Sequence, residues 1–151
     1  MDYYLEQTIY PIKDTNKLFF DYTFFKLFAS KENYNFVVSH ILETIKNLLK
    51  EYETFELHVN LFSFNTTSLA KHHDFLRIFS GYSNMFGDKL TDFYVYYTPS
   101  IMDSILKIIT THISTNVPKV ILYTKKESEN SLKSFLEKAS DKKKLQISIP
   151  I

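Results

Sequence analysis

The residues best suited to chemistry form one short run, Lys71-His72-His73-Asp74. Two imidazoles beside a carboxylate could bind a metal ion or relay protons. On a helix, however, adjacent side chains diverge by about 100°, so His72 and His73 cannot face one ion as histidines four residues apart can. The run therefore reads as one packed and one surface histidine: His72 falls among apolar positions, and His73 lies beside Arg77 on the polar edge. His112 falls within the apolar arc of a later segment, either as a buried, hydrogen-bonded histidine or as a polar spot inside a ligand cavity. Asp74, Asp88, Asp92 and Asp103 lie near the ends of expected elements, where capping accounts for them, and no pair has the pattern of a general acid and base. With only 2 Gly, both in one loop, the chain has no dinucleotide or phosphate-loop fingerprint, and GxSxG is absent as well. Zero Cys removes thiolate nucleophiles, thiolate zinc sites and disulfides. The expectation is no enzyme, no metal and no cofactor.

The whole sequence has to position whatever remains. Its 151 residues suit a single domain, 1–151, that buries a core without disulfides, and 44% hydrophobic against 23% charged residues suits a globular chain. A formal net charge of +1 provides no global field for nucleic acid, so none is expected as a partner. The basic residues of 125–144, including DKKK at 141–144, read as a solvated helix end and turn. Fourteen Phe and eleven Tyr point to a bulky core. The opening MDYYLEQTIYPIKD lacks a signal-peptide pattern, and no apolar run approaches the roughly 20 residues that span a bilayer, so a soluble, cytoplasmic chain is expected.

Periodicity then orders the elements. Residues 16–29 fit neither period cleanly and are read as a buried strand with irregular flanks. Val37, Val38, Ile41, Leu42, Ile45, Leu48, Leu49 and Tyr52 share one side of a helix over 34–52. FELHVNLFSF, 55–64, alternates and then turns apolar on both sides, as a strand entering a sheet centre would. Thr66, Thr67 or Ser68 is the expected N-cap of a helix running to about Tyr82. GYSNMFGDK forms a loop, TDFYVYY at 91–97 a strand, and Thr98-Pro99 its end. Ile101 to Ile113 reads as a helix whose apolar arc is wider than the roughly 100° stripe of a packed surface helix. A strand at 117–124, an amphipathic helix at 127–139 and a last strand at 145–151 complete the pattern. The expected fold class is α/β, a mostly parallel central sheet covered by helices.

The succession LHVNLFSF, LAKHHDFLRIFSGY, YSNMFGDKL, TDFYVYY, Thr-Pro, SIMDSILKIITTHI and KVILY resembles the CRAL-TRIO, or Sec14-like, lipid-binding domain over about residues 50–140, chiefly through Leu90, Pro99, Lys119 and Val120. The sequence departs from that pattern where Phe86-Gly87-Asp88-Lys89 stands in place of Pro-Glu-Arg, at Thr98, and in lacking the terminal Gly-Gly. The short form is more similar to the compact BCH-type branch, whose members are protein-interaction modules. The resemblance implies a hydrophobic cavity floored by the sheet, with Ile101 to Ile113 as a gate helix over it. Carried over, the lipid-binding residues are Phe62, Phe64, Phe93, Val95, Tyr97, Ile101, Met102, Ile105, Ile109 and His112. The same residues could equally form a solid core. The resemblance implies a non-enzymatic lipid-binding or lipid-transfer domain, with a phospholipid or other amphiphile as partner and peripheral contact with a membrane. The alternative is a protein-protein interaction module with a protein partner and a side-chain-filled cavity; no oligomeric state is implied. A third reading is a small enzyme, dependent on His72, His73 and His112, or a STAS-like regulatory domain with Thr66, Thr67 and Ser68 as modifiable hydroxyls at a helix start, where N-capping accounts for them as well.

Overall fold

The computed structural model describes residues 2–110 and 118–148. In chain order the elements are α1 (Asp2–Thr8), β1 (Ile9–Pro11), β2 (Lys17–Asp21), α2 (Tyr22–Phe28), α3 (Tyr34–Leu48), β3 (Phe55–Asn60), α4 (Thr66–Ser80), β4 (Leu90–Tyr96), α5 (Met102–Thr110), β5 (Lys119–Leu122) and α6 (Lys125–Ser148). The five strands form one sheet in the order β1-β2-β3-β4-β5; β1 is antiparallel to β2 and every other pair is parallel. Pro11, which cannot donate to a ladder, lies in the edge strand, as its chemistry requires.

Strand order dictates the layers. Right-handed crossovers that step steadily in one direction lay their helices on one face of a parallel sheet. Residues of alternate parity confirm the division. Leu18, Phe55, Val59, Phe93 and Val95 face a large core built with α2, α3, α4 and α5, whereas Phe19 and Tyr96 face a smaller one built with Leu132 and Ala139 of α6. The sheet is thus a wall between two interiors.

The local chemistry explains where elements begin and end. The segment 16–29 is half strand and half helix, which is why no single period fits it. Asp21 closes β2 and caps α2, its carboxylate accepting from the Thr23 amide at 3.0 Å and the Thr23 hydroxyl at 2.6 Å. The strand expected over 55–64 stops at Asn60, whose side-chain oxygen accepts from the Phe62 amide at 3.0 Å. With Ser63 at φ 68, that turn leaves Phe62 half exposed and keeps Leu61 and Phe64 buried. The N-cap of α4 is Asn65 rather than Thr66, Thr67 or Ser68. Asn65 accepts from the Ser68 amide while Ser68 Oγ accepts from the Asn65 amide, a reciprocal capping box.

The C-terminal expectation is corrected. Residues 145–148 belong to α6 and not to a strand. Between Lys125 and Ser148 there is no Gly or Pro, and the Lys-rich run that was read as a helix end is good helix-forming sequence, so nothing local interrupts the helix. Residues 149–151 of that expected strand, and Ile113 at the end of the expected gate helix, lie outside the described residues.

Candidate functional site

Between the sheet and α2 to α5 lies a cavity of about 100 Å³, walled by Leu18, Phe55 and Phe93 of the sheet, Phe25 of α2, Ile41 and Ile45 of α3, Phe75 and Phe79 of α4, and Met102, Ile105 and Ile109 of α5. Its walls are hydrocarbon because the inward positions of the surrounding elements are apolar, Tyr22 and His72 excepted. Rings fill much of the space: Phe25 lies 4.6 Å from Phe75 between centroids, and Tyr22 4.9 Å from Phe64. A smaller apolar void of about 50 Å³ lies between Phe86, Leu90, Leu106 and Val120. An apolar cavity of about 150 Å³ admits benzene, and drug-sized ligands occupy roughly 300–1,000 Å³. The interior is therefore nearly closed.

Among the residues lining the larger cavity, only His72 and Tyr22 carry a side-chain nitrogen or oxygen. His72 is 2% exposed and sits at a break in α4, with φ −106 and ψ 15. Its Nδ1 lies 2.7 Å from the Tyr34 hydroxyl, which also reaches the Lys71 carbonyl at 3.1 Å. Its Nε2 has no hydrogen-bond partner among the described residues. Burial, reinforced by the Lys71 charge, pushes the imidazole down to about 4, so it is neutral near pH 7. Its neighbour His73 is exposed, as helical divergence requires. Among the described residues no group of three or more His, Asp or Glu could hold a metal ion.

The residues expected to bind lipid are distributed unevenly. Phe64, Phe93, Met102, Ile105 and Ile109 are brought together around the cavity. Val95 is fully buried in the same core without lining the space, and Ile101 packs partly buried against that core. Phe62 and Tyr97 meet each other near the C-terminal ends of β3 and β4, ring centroids 5.1 Å apart, away from the cavity. Tyr97 adopts φ 55 there, its amide donating to Ser128 Oγ at 2.7 Å, and its ring joins the α6 side. His112 lies outside the described residues. The sequence reading did not include the walls from β2, α2 and α3, because the resemblance began near residue 50 and the mixed period of 16–29 concealed the inward face of α2.

The opposite face holds a buried polar chain that sequence reasoning also missed. His58 Nδ1 meets the Tyr96 hydroxyl at 2.8 Å and Nε2 meets Glu56 Oε1 at 3.3 Å. Its imidazole is stacked between the rings of Tyr94 and Phe135, each 4.3 Å away. Burial, with the Lys17 charge as a second cause, pushes it down to about 3, and burial likewise raises the Tyr96 phenol. A neutral His58 then donates from Nε2 to Glu56 and accepts at Nδ1 from Tyr96. Asp21, raised by burial, accepts from Asn60 Nδ2 at 3.2 Å on the same wall. Although acid, imidazole and phenol in series suggest a proton relay, both faces of the imidazole are covered by rings. The available signal was the alternation itself, which puts Glu56, His58 and Asn60 on one face beside Tyr94 and Tyr96.

An open α/β sheet with a hydrocarbon-lined interior on one face, and a ring-sealed polar network on the other, defines a domain built around an apolar interior. The chain belongs to the CRAL/TRIO family: the CRAL/TRIO domain model matches residues 17–145, most of its length. Domains of this family generally bind or transfer lipophilic small molecules and are typically not enzymes. No curated protein matches the chain, and no solved structure does. No helix among the described residues is long and apolar enough to cross a membrane.

Proposed function

We propose that this chain is a non-enzymatic lipid-binding domain that takes the apolar part of one amphiphile between its sheet and α3 to α5, with α5 as the movable cover. The observation that carries this reading is the cavity on that face, whose walls include Met102, Ile105 and Ile109 of α5. At about 100 Å³ it corresponds to a closed form. A phospholipid chain enters only when α5 moves outward, and each methylene it then buries contributes about 0.8 kcal/mol toward the cost of opening. Peripheral contact with the donor membrane, by the surface around α5, belongs to this reading. The test is uptake of a fluorescent phosphatidylcholine from vesicles, followed by re-isolation of the protein. Saturable uptake near one lipid per chain is expected, and its absence contradicts the proposal.

The small volume favours a second reading, a protein-interaction module of the same fold with the interior filled by its own rings. A stable complex with a protein partner, together with no lipid uptake, supports that alternative.

A further inference from the structure

The two edges of the sheet are finished differently. An edge strand presents unpaired peptide groups on which another strand can pair, and in β1 that row is interrupted by Pro11, which has no N–H. β5, at the other edge, has no proline within it. The Tyr123 amide donates to the Val95 carbonyl at 2.9 Å, and the Tyr123 carbonyl accepts from the Thr98 amide at 3.1 Å, so Tyr123 turns its peptide groups toward β4. Alternate residues of a strand point opposite ways, so Val120 and Leu122 turn theirs outward. Among the described residues nothing hydrogen-bonds to those groups. The row stops at both ends: Pro118 has no N–H, and the Thr124 amide donates to Glu127 Oε1 at 2.9 Å.

What remains is two N–H and two C=O groups placed symmetrically about Ile121. Opposite residues of an antiparallel pair exchange both of their hydrogen bonds. Laid against itself with Ile121 opposite Ile121, β5 sets Val120 opposite Leu122 twice, and every outward group of both residues is satisfied. A shift of two residues in either direction brings Pro118 or Thr124 opposite and leaves groups unpaired. The same register places Lys119 across from Tyr123 of the second copy and away from the other Lys119, so a cation meets an aromatic ring and no like charges oppose. The side chains brought together at the centre are apolar: Leu122 is 41% exposed, and Val120 and Ile121 are half-buried.

We propose that the outer edge of β5 is the contact surface for a second copy of this chain, joined by antiparallel β5 strands about a two-fold axis at Ile121. Two five-stranded sheets then become one continuous sheet. Such a contact is isologous and closes at two copies. It stands apart from the lipid reading of the cavity.

Sedimentation equilibrium of the native chain and of Leu122→Pro tests it. The Leu122 N–H points away from β4, so proline removes two of the four intermolecular bonds, one from each copy, and leaves the ladder between β4 and β5 intact. The native chain is expected to dimerise, and the variant to do so with a dissociation constant raised about thirtyfold, the equivalent of about 2 kcal/mol. A native chain that stays monomeric at millimolar concentration, or a dimer that the proline does not weaken, overturns the proposal. Should Leu122→Pro not fold, cysteine cross-linking decides. The chain has no Cys, so Ile121→Cys introduces the only thiol. Across a non-hydrogen-bonded antiparallel pair the Cα atoms stand about 4.5 Å apart, within disulfide range, whereas the two copies of residue 119 are offset by about 13 Å along the strands. With oxidised glutathione, Ile121→Cys is expected to form a disulfide-linked dimer and Lys119→Cys is not. Equal yields from the two variants, or none from Ile121→Cys, overturn the proposal.

Discussion

The two faces of the sheet are built from the same strands and do opposite things. Toward α3, α4 and α5 the wall presents Leu18, Phe55, Val59, Phe93 and Val95, and the space beyond is incompletely filled. Toward α6 it presents Glu56, His58, Asn60 and Tyr96, and each of these side chains has a hydrogen-bond partner. Hydrocarbon packing is non-directional and tolerates a void or a guest. A hydrogen-bonded stack does not, because displacing one member strands its neighbours. The apolar face is the one suited to exchange contents, and the polar face holds the sheet and α6 in one arrangement.

Cutting a ring from the apolar face gives the largest expected effect. Phe75→Ala removes a side chain 5% exposed that packs on Phe25 and Tyr34, and should lower stability by about 3–5 kcal/mol in urea denaturation. Because the void it leaves is dry, benzene should raise the melting temperature of this variant more than that of the native chain. An equal shift in both would blur the distinction between the faces.

Acid tests both faces together. His58 and His72 have folded values of about 3 and about 4, below the ordinary 6.5, so the unfolded chain binds more protons as pH falls. Their contribution is complete above about pH 6.5 and is lost between there and about pH 4 for His72, or about pH 3 for His58. Each loses about 1.4 kcal/mol per pH unit in that window. Asp21, whose carboxyl is raised, acts in the opposite sense near pH 4. Replacing either histidine by Gln should remove its share of the slope at pH 5, read from denaturation midpoints across pH. A slope unchanged by His58→Gln would contradict the neutral, ring-stacked imidazole.

Smaller changes sharpen the contrast. Tyr96→Phe leaves His58 Nδ1 buried without its donor and should cost about 1–3 kcal/mol, measured in urea. Removing the N-cap of α4 with Asn65→Ala should cost about 1 kcal/mol, because it loses the reciprocal bonds with Ser68 while leaving both interiors intact.

Much of this division was legible before the structure. Alternation in FELHVN assigned Phe55, Leu57 and Val59 to one face, and helical spacing gave α3 its inward residues, because these follow from the geometry of strand and helix alone. The CRAL-TRIO resemblance placed Met102, Ile105 and Ile109 near one another. What did not show was anything made by contact across the sequence. The pairing of His58 with Tyr96 joins residues 38 apart, and the pairing of Tyr34 with His72 does the same, leaving one nitrogen unpartnered. The end of α6 was misread because one Leu and three Ile at alternate positions in LQISIPI look like a strand, whereas local helix propensity carries α6 through Ser148. Phe62 was misplaced from the cavity because Asn60 turns the chain one residue before the expected run of inward side chains.

The central claim is that the face under α5 holds an amphiphile. It is tested most directly by incubating the native chain and Ile105→Trp with phosphatidylcholine vesicles, re-isolating each protein and weighing it by native mass spectrometry. Ile105 is buried and lines the cavity, so the larger ring fills the space a lipid chain would take. One amphiphile per native chain and none on the variant is the predicted result. A native chain that returns lipid-free, or a variant that carries lipid equally well, would contradict the account.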